Sequence, residues 1–203
     1  MASLSIASYN CKFFDGYSGS QKVQFASETF DQSDFLCIQE HWLYESQFHR
    51  FDKISSGAVD YVASSAMDPN RIRNGRPHGG TAIIWRNDIK HKVTGITTVS
   101  SRLSAVIVNL DNGVTLLLCT VYMPNDLRTD GANLNEMQDV LAEMSVVSHE
   151  HGAQFLVIMG DFNCDFKRSS PHTSELLNFW LVEGLALREM TKKARENRKF
   201  KIP

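Results

Sequence analysis

Phe155-Leu156-Val157-Ile158-Met159-Gly160-Asp161-Phe162-Asn163-Cys164-Asp165 is the most informative stretch of the chain. Its five leading apolar residues stop at Gly160, the pattern of a buried strand closed by a breaker. Asp161 and Asn163 follow with one residue between them, and both side chains can handle a metal ion or a phosphate. Residues just past a strand end sit at the lip of a sheet, where binding and catalytic groups concentrate. Strand alternation sends the two polar groups one way and returns the Phe162 ring to the core. An Asx-turn is the competing reading, because Asp and Asn also form turns.

Working outward, residues 133–149 place Leu134, Met137, Val140, Leu141, Met144 and Val147 at the three-and-four spacing of one helix face. Asn133 is expected to cap that helix, with Glu136 reaching back and Gly152 at its end. Before it, strands over 104–110 and 114–122 are joined by Asp111-Asn112-Gly113, a hairpin signal. Tyr122 closes the second arm, and Pro124 turns the chain out of the sheet. Nearer the start, 4–9 alternates as a strand and ends at Asn10. Residues 21–30 read as a short helix on Val23, Ala26 (or Phe25) and Phe30, and 34–40 as a buried strand ending in Glu40. Residues 60–64 and 80–85 read as further strands, separated by a loop over 67–80. Strand-helix-strand order argues for an α/β fold, and the hairpin makes its sheets mixed rather than purely parallel. After a polar loop, Thr173 or Ser174 is expected to cap a last helix carrying Leu176, Leu177, Trp180 and Leu181. Residues 188–201 are charged and nearly without apolar side chains. A solvated, frayed helix is expected there, with nucleic-acid binding or nuclear import as the alternative for the basic run 192–201.

Composition narrows the classes. The chain has 203 residues, 42% apolar and 22% charged, which suits one domain with a sizeable core. Its net charge of −2 gives no global positive field, so any nucleic-acid binding needs a local patch or metal ions. Cys11, Cys37, Cys119 and Cys164 form no close-spaced pairs, and two fall inside apolar runs. Reduced, mostly buried thiols are expected, in an intracellular protein of the nucleus or cytoplasm, rather than a zinc site or a disulfide framework. The N-terminus lacks a signal-peptide layout, and the longest apolar segment, 114–121, is too short to span a bilayer. No membrane partner is expected, and a monomer is favoured over an oligomer.

The polar residues at strand ends then line up. Asn10, Glu40, Tyr122, Asn125, Asp161 and Asn163 each follow an apolar run. Each has an ordinary explanation singly, as a solvated strand end or a core ring with its hydroxyl at the surface. Four strands delivering an amide, carboxylate or phenol at the same kind of position suggest a site. A hard cation such as Mg2+ takes carboxylate and carbonyl oxygens and keeps several waters. Glu40, Asp161 and Asn10 would supply such oxygens, and phosphate ester cleavage needs an activated water and donors for the developing charge.

Ser8-Tyr9-Asn10, Ile38-Gln39-Glu40, Tyr122-Met123-Pro124-Asn125 and Gly160-Asp161-Phe162-Asn163, in this order, resemble the endonuclease/exonuclease/phosphatase superfamily with the pancreatic-DNase type of fold. Gln39-Glu40-His41-Trp42-Leu43 and Gly79-Gly80-Thr81-Ala82 look most like the endonuclease domains of non-LTR retrotransposons. The resemblance implies a four-layer α/β sandwich, two packed mixed sheets flanked by helices, over residues 1–187, with 188–203 a divergent basic tail. It implies hydrolysis of phosphodiesters with Mg2+ (or Mn2+), and DNA as the substrate. Carried over by motif, Glu40 is the main metal ligand with Asn10 beside it. Asp161 orients or activates water, Asn163 and Tyr122 hydrogen-bond the phosphate, and Asn125 supports them. The family's domain continues into strands bearing an Arg-Ile-Asp-type motif and a terminal Ser-Asp-His, and this chain has neither. The fold is therefore expected to lack its last strands and to leave a sheet edge open. His41, His78 and His172 are expected to have packing or surface roles rather than to replace the lost histidine. Two alternatives stand beside the nuclease: a non-catalytic remnant that binds metal or nucleic acid, and a phosphatase acting on a small phosphoester or lipid headgroup.

Overall fold

The structure, a computed structural model, describes residues 4–17, 19–68, 78–111, 113–126, 131–184 and 199–200. The alternating N-terminal segment forms β1 (Leu4–Asn10). Ser20 then caps α1 (Gln21–Phe30) by accepting the Val23 amide, and Val23, Ala26 and Phe30 are its buried face, while Phe25 is exposed. The fully buried β2 (Phe35–Gln39) pairs parallel with β1, in register from Ile6–Phe35 to Asn10–Gln39. A 3-10 segment over Glu45–Ile54 leads to β3 (Val59–Ser64) and β4 (Thr81–Arg86), which pair antiparallel. Most of the 67–80 loop, residues 69–77, lies outside the described residues.

A second sheet follows. It contains β5 (Val93–Ile96), β6 (Leu103–Asn109), β7 (Thr115–Tyr122) and β8 (Phe155–Asp161), in that spatial order. The expected hairpin is the antiparallel β6–β7 pair, and β8 pairs parallel with β7 after the crossover through α2 (Gly131–His151). The first sheet has the order β3-β4-β2-β1, with β9 (Lys199–Phe200) antiparallel to Leu4 and Ser5. Both sheets are mixed.

Three apolar layers separate four structural ones. Phe14, Phe30, Leu36, Ile38, Phe51 and Ile84 join α1 and the 3-10 segment to the outer face of the first sheet. Phe35, Cys37, Ile83, Val106, Leu116 and Met159 fill the space between the sheets. Leu117, Cys119, Met137, Leu141, Met144 and Trp180 join α2 and α3 (Pro171–Val182) to the outer face of the second. The expected four-layer sandwich is therefore the observed fold.

Several local expectations are corrected. Strand β8 is half-buried rather than buried, with Phe155 at 37% exposure, because among the described residues β7 is its only neighbour. Helix α2 begins at Gly131, so Asn133 lies inside it. The Asn133 side chain donates to the Asn125 carbonyl at 3.0 Å, and Glu136 instead pairs with Arg102. The α3 cap is Ser170, which accepts the Thr173 amide, with Pro171 in the first turn. That frame buries His172, Leu176, Phe179 and Trp180, and leaves Leu177 and Leu181 exposed. In the basic tail, Lys199 and Phe200 are strand rather than frayed helix, because the β1 edge offers them unpaired backbone groups. Residues 185–198 lie outside the described residues. All four cysteines are free, and Cys11, Cys37 and Cys119 are buried. Among the described residues no helix is long and apolar enough to cross a membrane.

Candidate active site

The two sheets pack face to face, and at one end both deliver polar side chains. The first contributes Asn10, the last residue of β1, and Glu40, which follows β2. The second contributes Tyr122, the last residue of β7, and Asp161, the last of β8. The Tyr122–Asp161 pair is in register across the parallel ladder. The Asn10 amide bridges the sheets. Its Nδ2 donates to Glu40 Oε1 at 2.8 Å and to Asp161 Oδ2 at 2.8 Å, the second contact spanning 151 residues of sequence.

Asp161 closes the turn that the sequence allowed and also reaches across to the other sheet. Its Oδ1 accepts the Asn163 amide at 3.1 Å, closing an Asx-turn, while Oδ2 faces Asn10. The Phe162 ring returns to the core and meets Trp180 edge-on, at 6.0 Å between centroids. Asn163 Nδ2 donates to the Met123 carbonyl at 2.7 Å, and the Met123 amide donates to Asp161 O at 2.9 Å. The two loops that leave the second sheet are thus stitched together.

Backbone conformation sets the aim of these groups. Glu40 and Asn163 have φ of 55° and 48°, in the left-handed region that non-glycine residues seldom occupy. Such conformations cost on the order of 1–3 kcal/mol each and persist where surrounding contacts over-determine them. Gly160 (φ 142°) has no alternative residue: a Cβ there would lie 2.0 Å from the Val121 carbonyl oxygen of the paired strand.

Burial pushes the Tyr122 phenol up from its ordinary pKa, helped by the nearby Glu40 carboxylate, against the opposing effect of Arg102. The phenol therefore keeps its proton at neutral pH and can donate to an anion. The Asn163 side chain acts with Arg102 to lower that pKa. Arg102, which the sequence reading missed, holds Tyr122 in place. Its guanidinium lies 5.5 Å from the ring centroid, and Nη1 donates to Tyr122 O at 3.2 Å. Gln39, Thr81, Ser104 and Thr120 form a buried polar seam under the site. Gln39 Nε2 donates to Thr120 Oγ1 across the sheets at 2.7 Å, and the Thr81 and Ser104 hydroxyls are 2.9 Å apart. Nothing in the apolar alternation marks Arg102 or this seam as functional. Only Gln39 could have been found, from its place beside Glu40.

Asn125 is exposed, and among the described residues its side chain joins none of these hydrogen bonds. The histidines divide as expected. His41 is fully buried, edge-on to Phe48 and Phe51, and accepts the Leu43 amide at Nδ1. Burial drives its pKa down to about 4, so it is neutral. Its ring fills the space left by Gly80, where a Cβ would meet His41 Cε1 at 2.4 Å. That contact physically couples Gln39-Glu40-His41-Trp42-Leu43 to Gly79-Gly80-Thr81-Ala82. His172 is buried with Nδ1 at 3.3 Å from Asp126 Oδ1, and His78 lies at the surface.

Among the described residues no group of three or more His, Cys, Asp or Glu side chains could hold a metal ion. The set present offers two carboxylates, the oxygen type a hard cation takes, while Asn10 turns its Nδ2 to both and its Oδ1 accepts the Lys12 amide at 3.3 Å.

Comparison with known proteins agrees with the geometry. The family model described as Endonuclease/Exonuclease/phosphatase family matches residues 7–189. No curated protein sequence is significantly similar. Among solved structures, a Neisseria 3′ phosphatase bound to a product DNA hairpin is similar at TM-score 0.58 and 17% identity, over 88% of this chain and 71% of that one. An AP endonuclease from Leishmania major gives 0.63 and 13%, over 88% and 66%. ANGEL2, a 2′,3′-cyclic phosphatase, gives 0.55 and 16%, over 96% and 63%. The chain thus spans 63% to 71% of the length of these structures. At such identities the likeness is one of fold, while the matched family model, four motifs and bridged carboxylates agree on membership. The chain belongs to the endonuclease/exonuclease/phosphatase family.

Proposed function

We propose that this chain hydrolyses phosphodiester bonds in DNA with a divalent cation, Mg2+ or Mn2+, as an endonuclease of the non-LTR retrotransposon type. One observation carries the reading: Asn10 Nδ2 joins Glu40 and Asp161, from different sheets, at 2.8 Å each. Two carboxylates gathered on one neutral donor repel each other, and a cation bound between them would relieve that repulsion and draw a phosphate. The retrotransposon placement rests on the stretches Gln39-Glu40-His41-Trp42-Leu43 and Gly79-Gly80-Thr81-Ala82.

Glu40 and Asn10 would hold the cation, which when bound supplies charge for the phosphate oxygens. Asp161 keeps carboxylate lone pairs beyond those used by Asn10 and Asn163, and it orients the attacking water. Tyr122 keeps its proton and donates a hydrogen bond to a non-bridging phosphate oxygen, positioned by Arg102. Asn125, exposed on the adjoining loop, contacts the DNA backbone as it passes. Residues 1–187 act as the hydrolytic unit, and Lys199–Phe200 from the basic tail pair with its first strand.

The test is nicking of supercoiled plasmid. Mg2+-dependent nicking is expected, with Asp161→Ala lowering the rate by about 10²–10⁴-fold, the typical range for an acid–base group. Nicking unchanged by that substitution sinks the assignment of Asp161.

A further inference from the structure

We propose that Phe13 and Trp42, flanked by Lys12 and Lys22, form a stacking subsite for an unpaired nucleobase of the strand whose phosphate occupies the carboxylate site. This rests on the phosphodiesterase reading above and adds a substrate class to it: single-stranded or locally melted nucleic acid.

The two rings stand on the lip itself. Phe13 follows Asn10 by three residues, and Trp42 follows Glu40 by two. Past the strand ends the two segments stay joined: the Phe13 amide donates to Glu40 O at 2.8 Å and the Phe14 amide to His41 O at 2.9 Å. The Trp42 amide donates to Gly79 O at 3.0 Å. Four residues here take left-handed backbone, namely Lys12 (φ 42°), Phe13 (81°), Glu40 (55°) and Trp42 (56°). They are four of five such non-glycine residues among those described. An aromatic residue at φ 81° is costly. Its effect is to turn Phe13 outward, at 38% exposure, while its neighbour Phe14 is fully buried against Phe51.

The rings touch, at 6.0 Å between centroids and 40° between planes, so a base would stack not between them but on the exposed side of Phe13. Lys22 Nζ lies 5.6 Å from the Phe13 centroid, and it donates to the carbonyls of Lys12 and, at 2.9 Å, of Phe13. The ammonium thus fixes the strained turn and places positive charge beside the ring, with the exposed Lys12 next to it. The nearest carboxylate in this loop, Asp15, is occupied by the Tyr17 amide and the Ser20 hydroxyl. Aromatic faces with cations beside them recognise unpaired bases, because every base has a π-face and the attached backbone is anionic. A paired base cannot reach such a platform without leaving its stack.

Tryptophan fluorescence tests this directly. Trp85 and Trp180 are 6% and 7% exposed, so quenching by a ligand reports on the half-buried Trp42. The protein is titrated, with Ca2+ in place of Mg2+, with a short oligothymidylate and with an abasic oligomer of the same length. The base-bearing strand is expected to quench Trp42 and to bind about tenfold more tightly. Phe13→Ala removes that preference but keeps the abasic affinity, and Phe13→Tyr restores it. Equal affinities for the two strands, or a preference that survives Phe13→Ala, overturn the subsite. Equal affinities with plasmid nicking intact overturn the subsite alone. A Phe13-dependent preference without nicking overturns only the hydrolytic reading.

Discussion

Gly160→Ala perturbs the site through a single methyl group. Gly160 pairs with Val121 between Met159 and Asp161 on β8, and its φ is 142°. A Cβ would stand 2.0 Å from the Val121 carbonyl oxygen and 2.9 Å from Val121 C and N. Those atoms are backbone in a buried strand, so no rotamer change relieves the clash. Backbone strain of about 1–3 kcal/mol adds to overpacking of about 1–3 kcal/mol. Together these come to roughly 2–6 kcal/mol, and at about 2–4 °C per kcal/mol for a chain of this size the melting temperature falls by roughly 4–24 °C. The alternative to unfolding is separation of β7 from β8 at the Val121–Gly160 and Tyr122–Asp161 pairs, which moves Asp161 off Asn10. Calorimetry and plasmid nicking on one preparation are the assay. A melting temperature within a degree of the wild type, with unchanged nicking, refutes the argument that this glycine is sterically required.

Two further outcomes follow from buried groups. His41 has a folded-state pKa of about 4 against an ordinary 6.5, so between those values the unfolded chain binds the extra proton. Stability should therefore be complete above pH 6.5 and decline toward pH 4, by on the order of 2 kcal/mol at pH 5. Urea titrations at pH 7 and pH 5 should show this loss, and His41→Asn, which keeps an acceptor for the Leu43 amide, should flatten it; an equal loss in that variant removes His41 as the cause. Asp126 and His172, with side chains 11% and 4% exposed, pin the loop after β7 to the start of α3. A double-mutant cycle on Asp126→Ala and His172→Ala should give a coupling of about 0.5–3 kcal/mol, whereas additive effects would mean the two do not interact.

The fold was legible where periodicity and breakers agreed. Strand β1, helix α1 and the β6–β7 hairpin follow the pattern of their own residues. The errors arose where tertiary position decided. A run as apolar as 155–159 looks the same at a sheet edge as in its centre, and only the strand order reveals that β8 is an edge. Asn133 and Glu136 had capping chemistry at capping spacing, yet Asn125 and Arg102 offered partners across space. Thr173 and Ser174 were plausible caps, but Pro171 fixes the first turn and gives Ser170 the task. At the site, the polar residues at strand ends could be picked out by type. Their convergence could not, because Asn10 and Asp161 belong to different sheets, and only the packing of those sheets brings them within 2.8 Å. Arg102 and the Phe13–Trp42 pair have no local signature, since their roles depend on a neighbouring loop and on left-handed backbone.

The central claim is that Asn10, Glu40 and Asp161 form one cation-dependent site, and Mn2+ binding followed by electron paramagnetic resonance tests it most directly. One ion bound per folded wild-type chain is expected, with that binding lost in Glu40→Gln and weakened in Asn10→Ala. The same stoichiometry and affinity in wild type and in folded Glu40→Gln would contradict it.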